Sequence, residues 1–270
     1  LPAPDTVTVE INGEPTRIWR AGHGPALVFL AGFGGLPRWV PFLDRLTERR
    51  TVLVPSLPGH PGGGRGHAQL DTHLDWVLAA RQTVRAAADL VQADGTAPAG
   101  AIDLAASSVG GSLAAEVAAL WPEGVRRLVL IAPFGLFDAA DPPADVWAQR
   151  PDELAALMCA DPATWTALKA PPEGANSVEW PIEQTRASEA AARLFWPLGN
   201  TRLDRRLHLI TAPTLLLWGE HDRVIPRATA ARIAGAVSGP TETRIVPGAA
   251  HLAELDQPDA VARNILEWTD

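Results

Sequence analysis

Cysteine occurs once in this chain, at Cys159; lysine also occurs once, at Lys169, and tyrosine is absent. A single cysteine excludes an internal disulfide and a cysteine-built metal cluster, and it is compatible with a reducing compartment. No uninterrupted apolar run approaches the roughly 20 residues of a membrane-spanning helix. The opening Leu1-Pro2-Ala3-Pro4-Asp5 lacks the charged and apolar regions of a secretory signal. A cytoplasmic location is the expectation. Basic charge is short as well, with 23 Lys and Arg against 31 Asp and Glu, a formal net charge of −8. Phosphate backbones call for a basic face that this composition does not provide, and no polybasic membrane anchor is visible. No metal-ligand spacing such as His-x-x-x-His occurs, and no cofactor is expected. The partner is expected to be a small apolar molecule, with neither nucleic acid nor membrane involved; oligomeric state is not legible.

At 270 residues the chain suits one large domain or a core with an inserted subdomain. Residues 6 to 20 alternate about Asn12-Gly13 like a β-hairpin. Ala26–Ala31 is a continuous apolar run, the pattern of a strand buried on both faces of a parallel sheet, and Thr51–Pro55, the stretch opening at Ala101, Arg127–Ala132 and Ala212–Trp218 read as further buried strands. Glu242–Val246 gives a last strand. Helical spacing separates them, at Leu36–Arg49, His73–Val91 with an end near Asp94-Gly95, Arg227–Val237 and Pro258–Trp268. This alternation describes a doubly wound, mostly parallel α/β sheet, in which ligands bind at the carboxyl ends of the strands. From Phe134 to Leu203 the strand pattern stops and proline-interrupted helical segments replace it. The expected organisation is therefore a core of residues 1–133 and 204–270 with a helical cap, 134–203, inserted.

Two glycine-rich loops stand out. Gly32-Phe33-Gly34-Gly35, at the end of a buried strand, is either a flexible connector or a place where backbone amides approach a ligand, because glycine removes the side chains that would block them. Pro58-Gly-His-Pro-Gly-Gly-Gly-Arg-Gly66 is no nucleotide loop, since no Gly-Lys-Ser/Thr follows.

The stretch from Ala101 to Leu120 reads as a strand, an abrupt turn and a helix of small residues. With Ser108 at the apex, the residues two before and two after it are Ala106 and Gly110, both small, as a tight strand-to-helix elbow requires. Ser107 at the apex would put the β-branched Val109 at the second small position. The elbow also directs the first free amide of the helix, that of Val109, at whatever the Ser108 hydroxyl attacks. A serine that merely caps the helix fits the local sequence too. What separates the two is the rest of the chain: Asp222 and His251 each lie in a loop just past a predicted strand. Ser108, Asp222 and His251 thus converge on one sheet edge. Serine needs a base to take its proton, histidine suits that task near neutrality, and a buried carboxylate holds the ring in the useful tautomer. His23, His60, His67, His73, His208 and His221 are competing histidines in less suitable places, and Asp103 is an alternative acid within the elbow strand.

Four motifs together resemble the α/β-hydrolase superfamily over nearly the whole chain: Leu-Ala-Gly-Phe-Gly-Gly, Ala-Ser-Ser-Val-Gly-Gly, Trp-Gly-Glu-His-Asp-Arg-Val-Ile-Pro and Gly-Ala-Ala-His. The resemblance implies an oxyanion hole made of the Phe33 and Val109 amides, and a serine rather than an aspartate nucleophile. Ala31 stands where many members have histidine, and Ala106 where most have glycine; neither change removes a reacting group. Leu252 follows His251, whereas the family's carbon-carbon hydrolases of vinylogous diketones commonly have tryptophan there. Ester hydrolysis through an acyl-enzyme on Ser108 therefore ranks first, ahead of carbon-carbon hydrolysis, a non-hydrolytic ligand receptor, or a lyase or oxygenase on the same triad. Of the aromatic residues between 134 and 203, Trp147 and Trp180 are the expected substrate-binding residues.

Overall fold

The computed structural model describes residues 3–93, 100–172 and 174–270. The chain opens with a hairpin, β1 (Asp5–Ile11) and β2 (Glu14–Gly22), which pair antiparallel. Asn12 and Gly13 both have positive φ, 54° and 78°, the conformation in which a two-residue turn matches the twist of its strands. β3 (Ala26–Leu30) and, beyond α1 (Pro41–Thr47), β4 (Thr51–Pro55) are buried along their whole length. The helix expected over Leu36–Arg49 starts only at Pro41. A proline disfavours helical backbone in the residue before it, so Val40 stays extended at φ −124°, while the ring fits the first helical position.

α2 (His73–Ala93) leads toward the elbow; its expected end near Asp94-Gly95 lies outside the described residues. β5 (Ile102–Ser107) runs directly into α3 (Ser108–Leu120), followed by β6 (Val125–Ile131). Between residues 134 and 203 the described residues hold no strand; three helices occur there, α4 (Pro151–Met158), α5 (Pro162–Lys169) and α6 (Glu179–Phe195). β7 (Thr214–Gly219), α7 (Ala228–Ala236), β8 (Thr241–Val246), α8 (Ala253–Asp256) and α9 (Pro258–Thr269) complete the chain.

The described strands form one eight-stranded sheet in the order β1-β2-β4-β3-β5-β6-β7-β8, parallel from β4 onward. This is the doubly wound, mostly parallel α/β architecture. α3 packs close beneath it because its surface is small: a Cβ added at Gly110 would stand 2.4 Å from the Ala31 carbonyl oxygen. Only glycine lets the helix lie that near β3.

Two buried carboxylates tie the layers together. Glu116 on α3 accepts from His73 Nε2 at 3.0 Å and from Arg206 Nε and Nη2, each at 2.5 Å. Burial works to raise the Glu116 carboxyl, but those hydrogen bonds outweigh it and hold the group below its ordinary range. Asp103, the alternative acid, faces Arg50 at 3.6 Å and bonds Arg126, so its charge is committed to the amino-terminal half of β5. No described helix is long and apolar enough to cross a membrane.

Candidate active site

Ser108 follows β5 without a break, Asp222 lies three residues past β7, and His251 five past β8. Parallel strands bring all three loops to the same sheet edge. The backbone at Ser108 has φ 53°, a left-handed conformation that a non-glycine residue adopts only when its surroundings impose it. Here the strand above and α3 below leave no room for a gentler turn, and the hydroxyl is pushed out over the edge.

His251 Nε2 lies 2.8 Å from Ser108 Oγ, and His251 Nδ1 lies 3.1 Å from Asp222 Oδ2. An ionised carboxylate can only accept, so Nδ1 carries the ring proton and Nε2 is left free to accept from the serine hydroxyl. The other Asp222 oxygen, Oδ1, accepts from the amides of Val224 at 2.8 Å and Ile225 at 3.1 Å. Trp218 Nε1 holds the same loop through the Ile225 carbonyl at 3.0 Å. Asp256 Oδ2 accepts from Ala250 N at 2.8 Å and Ala160 N at 2.9 Å, fastening the histidine loop to the segment just after α4. All three side chains of the row are buried. Burial raises the nearby Glu254 carboxyl, with Ser107 and His251 opposing the rise.

Three of the other histidines face carboxylates elsewhere. His73 bonds Glu116, His67 sits 3.5 Å from Glu189, and the exposed His221 lies 3.7 Å from Glu220. His60 is buried beside Gly35; burial, then the Lys169 and His67 charges, push it down to about 3. Cys159 is buried, and burial raises its thiol. Neither group is suited to act as base or nucleophile near neutrality. The described residues contain no group of three or more His, Cys, Asp or Glu that could hold a metal ion.

Gly32 presses on the elbow: a Cβ there would meet Ser108 Cβ at 2.8 Å. The next residue is Phe33, whose amide finds no acceptor among the described residues. Val109 lies in the first turn of α3, where amides have no carbonyl one turn back within the helix.

Above this centre the aromatic rings form one continuous cluster. Phe134 stands edge-on to His251, 5.9 Å between centroids, and touches Trp147 at 6.3 Å and Phe195 at 5.3 Å. Trp147 meets Phe33 at 5.7 Å, and Trp165 meets Phe33 at 6.2 Å. Trp147 Nε1 is buried without a partner among the described residues. Trp180 does not join this cluster. Its indole N–H donates to the Lys169 carbonyl at 3.1 Å, and its ring lines an open surface hollow with Arg65, Glu179 and Arg186. Trp165, which sequence reasoning passed over, takes the inner position instead. Spacing along α5 places Trp165 on the same helix face as Lys169, four residues on, but does not say which face meets Phe33.

The model of the alpha/beta hydrolase family matches residues 27–264, and the chain belongs to that family. Among curated proteins, a dihydrolipoyllysine-residue acetyltransferase component of the acetoin cleaving system from Pseudomonas putida is 28% identical over 99% of this chain and 69% of its own. A pimeloyl-[acyl-carrier protein] methyl ester esterase from Xanthomonas campestris is 30% identical over 89% of this chain and 93% of its own. Among solved structures, a 2-hydroxy-6-oxo-6-phenylhexa-2,4-dienoate hydrolase from Rhodococcus sp. strain RHA1 superposes with a TM-score of 0.73 and 18% identity, covering 98% of this chain and 99% of that one.

Proposed function

We propose that this member of the alpha/beta hydrolase family is a cofactor-free serine hydrolase of carboxylic esters. Ser108 Oγ adds to the ester carbonyl while His251 Nε2 takes the hydroxyl proton, and the carbonyl electron pair moves onto its oxygen. The Phe33 and Val109 amides donate to that oxyanion. When the tetrahedral species collapses, the alkoxide leaves with the proton from His251, and an acyl group remains on Ser108. Water then attacks with His251 again as base, releasing the acid. Asp222 keeps Nδ1 protonated and stabilises the imidazolium formed twice in each cycle. Residues 134–203 act as a cap that closes over the acyl chain, with Trp147 against Phe33 as part of the pocket wall.

The observation that carries this reading is the buried hydrogen-bonded row from Ser108 through His251 to Asp222, with the nucleophile on a strained elbow. Ester substrates rank above carbon-carbon substrates because Leu252, not tryptophan, follows His251; sequence likeness does not separate the two, the ester-cleaving relative being 30% identical across 89% of the chain and a 2-hydroxy-6-oxo-2,4-heptadienoate hydrolase from Pseudomonas putida 25% across 91%. Purified Ser108→Ala, assayed on a short methyl ester, is expected to lose at least about 10³-fold in kcat. Retention of near wild-type turnover would falsify the assignment.

A further inference from the structure

The chain's only lysine reaches down from the end of α5 onto the loop that follows β3. Its Nζ lies 3.3 Å from the Gly34 carbonyl oxygen, 3.4 Å from that of Gly35, and 4.8 Å above the Trp165 ring. An ammonium carries three donors, and two long contacts to neutral carbonyls leave it without a strong acceptor. No carboxylate among the described residues pairs with it. Burial pushes Lys169 down from 10.5 to about 8, so at neutral pH it remains a charge held partly out of water with no counter-charge. Such a group costs stability unless something else supplies the anion.

The lysine backbone is also held in place. Trp180 Nε1 donates to the Lys169 carbonyl at 3.1 Å, and Arg38 donates to the next carbonyl, that of Ala170. Gly32, which touches Ser108, and Gly34, which meets Nζ, are two residues apart on one loop, no more than about 7.6 Å of chain. The ammonium therefore sits on the same loop that presses on Ser108, beside the Trp165 ring that meets Phe33.

We infer that Lys169 is a specificity-determining residue that receives a carboxylate at the far end of the acyl chain, making half-esters of short dicarboxylic acids the preferred substrate class. This inference rests on the serine-hydrolase reading for turnover, though not for binding. The apolar substrate expected from composition becomes an amphiphile: aromatic rings cover its methylenes and one cation holds its tail.

The test compares monomethyl adipate with methyl hexanoate, which have the same acyl length with and without the terminal carboxylate. Wild type is expected to favour the adipate, and Lys169→Met to lower the adipate-to-hexanoate ratio of kcat/KM by about 10- to 100-fold, with Lys169→Arg restoring part of it. A ratio unchanged in Lys169→Met, through equal losses on both esters, would mean that the lysine only latches α5 to the loop and would overturn the inference. A second arm uses Ser108→Ala protein and calorimetric titration with monomethyl adipate. Binding weakened at least about tenfold by adding Lys169→Met supports the site even if neither ester is turned over, a result that would instead sink the hydrolase reading. Equal binding with and without the lysine, or no binding, overturns the inference.

Discussion

The row Ser108-His251-Asp222 and the segment above it handle buried polarity in opposite ways. Along the row from Ser108 to Asp222 the polar groups are provided for: both Asp222 oxygens are occupied, His251 bonds through both nitrogens, and Asp256 staples the loop that carries it. Above, in residues 134–203, Trp147 Nε1 is buried without a partner and Lys169 has only two long carbonyl contacts. A fully bonded Ser108-His251-Asp222 row is held in place before substrate arrives, which is what placing a nucleophile and a base requires. Unfilled donors are instead open to a ligand. On the proposed reading, chemistry belongs to the sheet edge and selection to the helices.

The sharpest way to break that division is Asp222→Asn. Its amide would donate to Nδ1, move the ring proton to Nε2, and leave Ser108 facing a donor. The expected loss is about 10³- to 10⁴-fold in kcat, with KM little changed, on every ester regardless of chain length. A loss that depended on chain length would mean that the sheet edge also selects.

A middle-sized effect is expected from the aromatic wall. Trp147→Ala is expected to lower kcat/KM for long acyl esters by about tenfold or more relative to acetate esters, the size of about 1.5–3 kcal/mol of apolar burial. Trp180→Ala, on its surface hollow, is expected to leave that ratio within about threefold. Equal behaviour of the two variants would erase the distinction between them.

Stability gives the smallest effect. The folded-state value for Lys169 lies near 8, below its ordinary 10.5, so between those pH values the unfolded chain binds more protons and stability rises with pH. Below about pH 8 both states are protonated and the full cost of the buried charge is present. Lys169→Met is therefore expected to melt at or slightly above the wild-type temperature at pH 7, with the gap closing as pH climbs past 8 toward 10.5. A lower melting temperature at pH 7 would show that the lysine holds the fold together.

The sheet and its loops were readable because their signals are local. The inner strands are rich in apolar residues, and Ser108, Asp222 and His251 each sit just past a strand, so topology brings them to one edge. The Asn12-Gly13 turn carried its own backbone preference. Reading failed at one overlooked local rule and where packing decides. The Leu36–Arg49 helix lost its first turn to Pro41, a local rule that the apolar spacing of Trp39 and Phe42 concealed. Trp180 and Trp165 look alike in sequence, and which of them faces Phe33 depends on how α5 and α6 settle on the loop after β3. The meeting of Lys169 with Gly34 joins residues 135 apart, and no pattern along the chain announces it.

The most direct test of the account asks whether Ser108 is activated by its neighbours, independent of any choice of substrate. The protein would be treated with a small organophosphonate and the adduct located by peptide mass mapping. One phosphonyl group is predicted on Ser108 in wild type, and its formation is predicted to slow by orders of magnitude in His251→Ala. An unlabelled Ser108, or labelling at the same rate without His251, would contradict the claim that these loops assemble a working nucleophile.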